Sequence, residues 1–207
     1  MTRYFTMHVD NPQPRLISQA VEALRAGELI AYPTDSGYAL GCALMSKSAL
    51  KALRDLRGLE EKHPLTLLCH SISEVSHYSI LSDFAYRIFK QYTPGAYTFI
   101  LPATNQVPRL ALGIKRRVVG LRIPAHPVAL ALVTKMGVPI ISSTLWLANE
   151  ESPICSPLEI NPKTKGRVDL ILDGGICNEN PTTVVDLTDA RPKIIRRGLG
   201  DPSPFED

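Results

Sequence analysis

The chain is expected to fold as an α/β protein built on a mixed sheet with flanking helices. Two observations carry that expectation. Amphipathic stretches with helical spacing alternate with short apolar runs of strand length along most of the 207 residues, the pattern of helices packed on a sheet. Three strand-like runs then follow one another at the end, Val168 to Leu172, Thr183 to Leu187 and Lys193 to Arg197. Closely spaced strands without intervening helices imply antiparallel pairing, so the sheet is mixed. No internal repeat, low-complexity tract or linker divides the chain.

The elements follow in order. Asn11-Pro12-Gln13-Pro14 signals a turn and a helix start. Leu16, Ile17, Ala20, Val21 and Leu24 then share one helical face, and Gly27 stands where a C-terminal cap belongs. Leu29 to Tyr32 is a buried strand. Ser46 or Ser48 caps a second helix with Ala49, Leu50, Leu53 and Leu56 inward and Gly58 as its stop. Leu65 to Cys69 is a strand, Ser71 to Ser79 and Ser82 to Tyr92 are helices, and Thr93-Pro94-Gly95 breaks the second. Tyr97 to Leu101 and Val118 to Ile123 are strands. Pro127 opens a helix through Val133, closed by Lys135 and Gly137. Pro139 to Ser143 is a strand, and Asn149 to Arg167 is polar with one short helix near Leu158.

Composition narrows the classes of function. A chain of this length is one ample domain or two very small ones, and buries roughly 70% of its unfolded surface. Hydrophobic content of 44% and charged content of 21% are those of an ordinary globular protein. No apolar run approaches the ~20 residues that span a bilayer. Met-Thr-Arg-Tyr-Phe-Thr lacks a secretion signal, so a cytoplasmic location and no membrane partner are expected. Cys42, Cys69, Cys155 and Cys177 are too scattered for a zinc site or a disulfide framework and are expected as buried thiols. His63, His70 and His77 recur every seven residues, but the first two flank a strand and cannot converge on a metal.

The net charge of +3 hides an uneven distribution. Phe84 to Asn149 contains no Asp or Glu and eight basic residues: Arg87, Lys90, Arg109, Lys115, Arg116, Arg117, Arg122 and Lys135. The remainder holds 15 basic and 20 acidic residues, or −5. Such a field favours a phosphate-bearing partner; the alternative is that these side chains cover apolar surface.

Four stretches offer chemistry. Pro33-Thr34-Asp35-Ser36-Gly37 crowds turn formers and side-chain oxygens at the end of a buried strand, a place where α/β sheets bind ligands, or an ordinary strand–turn–strand. Arg122 lies near the end of an apolar strand just before a helix N-terminus, suited to phosphate or carboxylate, unless a distant carboxylate pairs with it. His126 there reads as a helix cap. Ser142-Ser143-Thr144 and Thr182-Thr183 put hydroxyls at strand ends. Gly41 to Ser48 approximates a P-loop, but its interior is apolar and strand-like, which a phosphate cradle is not. No Gly-x-Ser-x-Gly elbow is present.

The same stretches carry a resemblance. Pro33-Thr34-Asp35-Ser36-Gly37-Tyr38-Ala39-Leu40-Gly41 resembles the Pro-Thr-Glu-Thr-x-Tyr-Gly-Leu-Gly signature of the YrdC/YciO family. Arg122-x-Pro-x-His126-Pro127, Pro94-Gly95-x-Tyr97-Thr98, Thr182-Thr183-Val184-Val185-Asp186 and Ile194-Ile195-Arg196-Arg197-Gly198 resemble further family motifs, over nearly the whole chain. Two positions depart. The synthases carry Lys-x-Arg where this chain has Arg57 and Leu59, and Ser-x-Asn where it has Thr144 and Trp146. The pattern is closer to the YciO branch.

The resemblance implies a single domain over residues 1–207, a twisted mixed sheet of the YrdC-like fold with a concave positive surface. It implies threonylcarbamoyl-adenylate chemistry for tRNA modification: threonine's amine captures bicarbonate, and the carbamate attacks the α-phosphate of ATP, releasing pyrophosphate. It places Thr34, Tyr38 and Thr66 at the amino-acid end, with Arg57 standing in for the lysine. Thr98, Arg122, Ser142, Thr144, Thr182 and Arg196 fall at the nucleotide end. No residue is expected as a covalent catalyst or metal ligand. ATP, as substrate or ligand with Mg, and L-threonine are the implied small molecules, with no tightly bound cofactor. Positioning and charge neutralisation suffice for such chemistry. RNA, as tRNA or a double strand, is the expected macromolecular partner, through Lys115, Arg116 and Arg117. Two other readings stand beside this one: a non-catalytic RNA-binding module, and an enzyme acting on a threonylcarbamoylated nucleotide or RNA.

Overall fold

The computed structural model describes residues 1–60, 63, 65–112 and 117–206. Lys115 and Arg116 therefore lie outside the described residues. Six α-helices and ten strands occur among them: β1 (Arg3–Thr6), α1 (Pro14–Arg25), β2 (Ile30–Thr34), β3 (Gly37–Ala43), α2 (Lys47–Arg57), β4 (Thr66–Leu68), α3 (Ile72–Tyr78), α4 (Asp83–Tyr92), β5 (Tyr97–Pro102), β6 (Val118–Arg122), α5 (Pro127–Met136), β7 (Ile140–Thr144), α6 (Pro157–Thr164), β8 (Leu170–Asp173), β9 (Thr183–Asp186) and β10 (Lys193–Arg196).

Local chemistry sets the helix ends. Ser46, Ser71 and Ser82 accept hydrogen bonds from the free amides of Ala49, Glu74 and Ala85 at the starts of α2, α3 and α4. Gly58 and Gly137 close α2 and α5 in the left-handed conformation. Of the two serines expected to cap α2, Ser46 does so. The stretch that approximates a P-loop divides between β3 and this cap.

All ten strands join one mixed sheet in the order β1-β8-β2-β3-β7-β4-β6-β5-β9-β10. The expected antiparallel cluster at the chain's end is only partly there. β9 and β10 pair antiparallel, but β9 runs parallel to β5, and β8 inserts parallel between β1 and β2 on the far side of the sheet. Most antiparallel pairing comes from β2–β3–β7–β4 and β5–β6.

Side-chain alternation along each strand builds two cores. Ala31, Leu67, Phe99, Leu121, Ile141 and Val185 face one side, where α2, α3 and α4 pack. Ile30, Tyr32, Leu68, Ile140 and Leu170 face the other, where α1 and α5 lie. Those two helices pack over β2, β3 and β8. Beyond β4 this face changes character: Thr66, Gly120, Arg122, Thr98 and Thr182 replace aliphatic groups, and a cavity opens there. The thiols divide likewise. All four cysteines are free, Cys42 and Cys69 are buried as expected, and Cys155 and Cys177 are only half-buried.

Candidate functional site

The cavity has a volume of about 450 Å³. Strand register assembles it. Thr66 of β4 pairs with Ser142 of β7 on one side and Gly120 of β6 on the other. Gly120 pairs with Ile100 of β5, and Thr98 two residues earlier pairs with Val184 of β9, which pairs with Arg196 of β10. One row of side chains thus crosses six strands. Gly120 is the floor: a Cβ there would stand 2.9 Å from Thr66 Oγ1 and 3.3 Å from Thr98 Cγ2. Gly41 serves the neighbouring wall, because a Cβ would meet the Tyr32 ring at 2.6 Å. That close approach lets Tyr32 reach Ser142, its OH 2.7 Å from Oγ. Burial pushes the Tyr32 hydroxyl up to about 12, so it stays protonated.

The ten residues expected at the amino-acid and nucleotide ends, Thr34, Tyr38, Arg57, Thr66, Thr98, Arg122, Ser142, Thr144, Thr182 and Arg196, all line this one cavity. Their hydrogen bonds refine the picture. Thr34 Oγ1 donates to the Gly37 carbonyl across the turn (2.6 Å). The Tyr38 hydroxyl donates to Gly175 O at 2.8 Å and accepts from Gly174 N at 3.1 Å, so it pins a loop rather than pointing free. Thr98 and Thr182 hydroxyls lie 2.9 Å apart. Arg196 donates Nε and Nη2 to the Thr182 carbonyl at 3.0 and 2.9 Å. Arg57, in the last turn of α2, donates to Ser143 Oγ (3.1 Å) and to the Trp146 carbonyl.

At Arg122 the structure realises the alternative of a distant carboxylate partner. Its guanidinium is not alone: Nη2 donates to Asp35 Oδ1 at 2.5 Å and to Thr34 Oγ1 at 3.4 Å. The carboxylate partner comes from the turn between β2 and β3, so that turn is both a tight connection and a wall of the site. The pairing is one-pronged, since Asp35 Oδ2 and Arg122 Nε are buried without hydrogen-bond partners among the described residues.

Cations dominate. Arg57 is lowered to about 10 by burial and then by the Arg196 charge; Arg196 is lowered by burial and then by Arg122. Each guanidinium registers the next, the state of a site shaped for an anion. His63 lies at the rim, lowered by burial and by Arg54 and Arg57, so its imidazole favours the neutral form. Behind the site, His126 Nδ1 accepts from Val128 N at 3.2 Å and caps α5 as expected.

Magnesium, implied by the resemblance to accompany ATP, does not fit these side chains. Among the described residues no Asp or Glu lines the cavity and no group of three or more His, Cys, Asp or Glu could hold a metal ion. Asp35, in the turn that walls the cavity, is engaged by Arg122.

Sequence reasoning missed Asp35 as the partner of Arg122, and Gly120 and His63 as parts of the wall. Gly120 was the legible one, a lone glycine inside an apolar strand where something must approach closely.

A sequence model of the Sua5/YciO/YrdC proteins, described as "Telomere recombination", matches residues 22–198. The chain belongs to that family. It is 47% identical to the protein YciO of Escherichia coli K12 over 205 residues, 99% of this chain and 100% of YciO. The crystal structure of E. coli YciO superimposes with a TM-score of 0.95, covering both chains completely. Identity to the threonylcarbamoyl-AMP synthase of Bacillus subtilis is 31%, over 93% of this chain but 55% of the synthase. A crystal structure of Pyrococcus abyssi Sua5 complexed with L-threonine gives a TM-score of 0.84 at 26% identity, covering 96% of this chain and 57% of Sua5. The mixed α/β sheet is thus the fold of this family. No helix among the described residues is long and apolar enough to cross a membrane.

Proposed function

We propose that this chain is a single YrdC-like domain that binds an adenosine nucleotide and L-threonine in the cationic cavity and carries out chemistry related to threonylcarbamoyl-AMP synthesis, in tRNA modification in the cytoplasm. The observation that carries the reading is the convergence of Thr34, Tyr38, Thr66, Thr98, Arg122 and Thr182 on one cavity beside Arg57 and Arg196. These residues come from six strands, a helix and the loop before β9, spread over more than 160 positions. Hydroxyls and guanidiniums can orient a carbamate and a phosphate and neutralise charge as it develops, with no covalent catalyst. The synthase and the threonine complex among the relatives support the substrate classes.

A second reading has an observation of its own. Where the synthases present Arg and Asn, Leu59 packs against the apolar core, and the Trp146 indole N–H is spent on the Glu150 carbonyl at 2.9 Å. Neither lines the cavity. A site lacking those two polar contacts can hold a threonylcarbamoylated nucleotide, free or in RNA, and act on it rather than make it. Pyrophosphate release with threonine, bicarbonate and ATP separates the two. Slow, threonine-dependent release is expected, ~10²–10³ below a synthase, because a lost transition-state contact costs about that. Release at a synthase's rate refutes the second reading. No nucleotide binding by calorimetry refutes both.

A further inference from the structure

We infer that the cavity takes its phosphate ligand without a divalent metal, and that this ligand carries about two negative charges, as a nucleoside monophosphate does. The inference rests on the nucleotide reading above and sharpens it. Magnesium reaches a phosphate site through one or two carboxylates that share it with the phosphate oxygens. The described walls of this cavity offer hydroxyls and guanidiniums but no carboxylate. Asp35 stands behind Arg122 with one oxygen taken by Nη2, so recruiting it to a metal would strip the arginine of its partner.

The arginines themselves do what a metal would do. Arg57 is fixed by Ser143 and the Trp146 carbonyl, and Arg196 by three contacts to Thr182. Both are held before any ligand arrives, so little entropy is lost when they meet an anion. With Arg122 they make, among the described residues at the cavity, three positive charges against the one carboxylate of Asp35, a net of about two. A ligand with two negative charges balances that. Free ATP overfills it, and magnesium-bound ATP carries much of its own neutralisation and presents the metal to described walls with no carboxylate for it. The lowering of Arg57 by burial and then by Arg196, and of Arg196 by burial and then by Arg122, agrees, since an anion set among them relieves the repulsion.

Calorimetry on the full chain tests this with AMP and ATP as probes, each in millimolar magnesium and in EDTA. AMP is expected to bind equally in both, within about twofold, and ATP about fivefold more weakly with magnesium than without. Arg196→Gln is expected to weaken AMP about fivefold in both media. Strengthening of either nucleotide by magnesium, or rescue of Arg196→Gln by magnesium, overturns the metal-free claim while leaving the nucleotide reading in place. ATP binding unaffected by magnesium overturns the two-charge claim. Binding of neither nucleotide overturns the inference and the reading together.

Discussion

At the scale of single residues, Asp35 and Arg122 decide how the site can be probed. The arginine is 7% exposed and the carboxylate 17%, so neither is well solvated without the other. Arg122→Ala therefore does two things at once. It removes a cation from the cavity and leaves Asp35 with a buried, unpaired charge, expected to cost about 2–3 kcal/mol of stability. The double variant Asp35→Asn, Arg122→Gln replaces the ion pair with neutral hydrogen-bonding groups of similar shape, and should unfold within about 1 kcal/mol of the parent in urea. AMP binding, measured by calorimetry, should be lost or strongly weakened in both. If the double variant binds AMP as the parent does, Arg122 serves only the fold. The pairing was invisible in the sequence because 87 residues separate the partners and no local spacing links them; the chemistry of each, a guanidinium at a strand end and a carboxylate in a turn, was visible.

At the scale of elements, the start of α5 shows chemistry that sequence reads well and pH can test. Pro127 sits at its first position, His126 caps it and Gly137 closes it. The cap works only while Nδ1 is unprotonated, because it must accept the Val128 N–H. Burial lowers the His126 pKa from the ordinary 6.5, outweighing the pull of Asp35. A group depressed in the folded state adds stability that is complete above its unfolded pKa and is lost as pH falls through the folded value. Urea unfolding should thus weaken from pH 7 towards pH 5, and His126→Asn, which caps without titrating, should weaken less. An equal loss in both would place the effect elsewhere, His63 being the other depressed imidazole. Elements with such punctuation, α2 to α5 and the buried strands, were legible. β1 was not: its Arg-Tyr-Phe-Thr is four residues long, exposed at the sheet edge, and lacks an apolar run. The placement of β8 beside β1 and β2 was hidden too, because strand order is set by long-range packing rather than by composition.

At the scale of the whole molecule, the acid-free span does not form one cationic face. Arg122 lines the cavity. Arg87 and Lys90 are on α4, whose Ala85, Ile88 and Phe89 pack on one side of the sheet, whereas Lys135 ends α5 on the other. Arg109 is exposed two residues before Ala111, whose carbonyl accepts from Leu65 N at the cavity margin. Exposed Arg117, which donates to the Thr104 carbonyl at 3.4 Å, directly precedes β6, the strand that carries Gly120 and Arg122 into the cavity. β10, which carries Ile195 and Arg196 into the cavity, also carries exposed Lys193. An RNA that presents a nucleotide to the cavity is expected to meet Arg117 and Lys193, on or beside the strands that build it, before it meets the basic residues of α4. About three phosphate contacts are then expected, so log K for tRNA should fall by roughly 2–3 per tenfold rise in salt. Arg117→Gln with Lys193→Gln should reduce that slope by about 1–2, and Arg87→Gln with Lys90→Gln should leave it unchanged. Filter binding across a salt series reads both. A slope flattened by the α4 pair instead would put the RNA on the opposite side of the sheet, and undetectable tRNA binding at low salt would remove RNA from the partners and leave the cavity to free nucleotides.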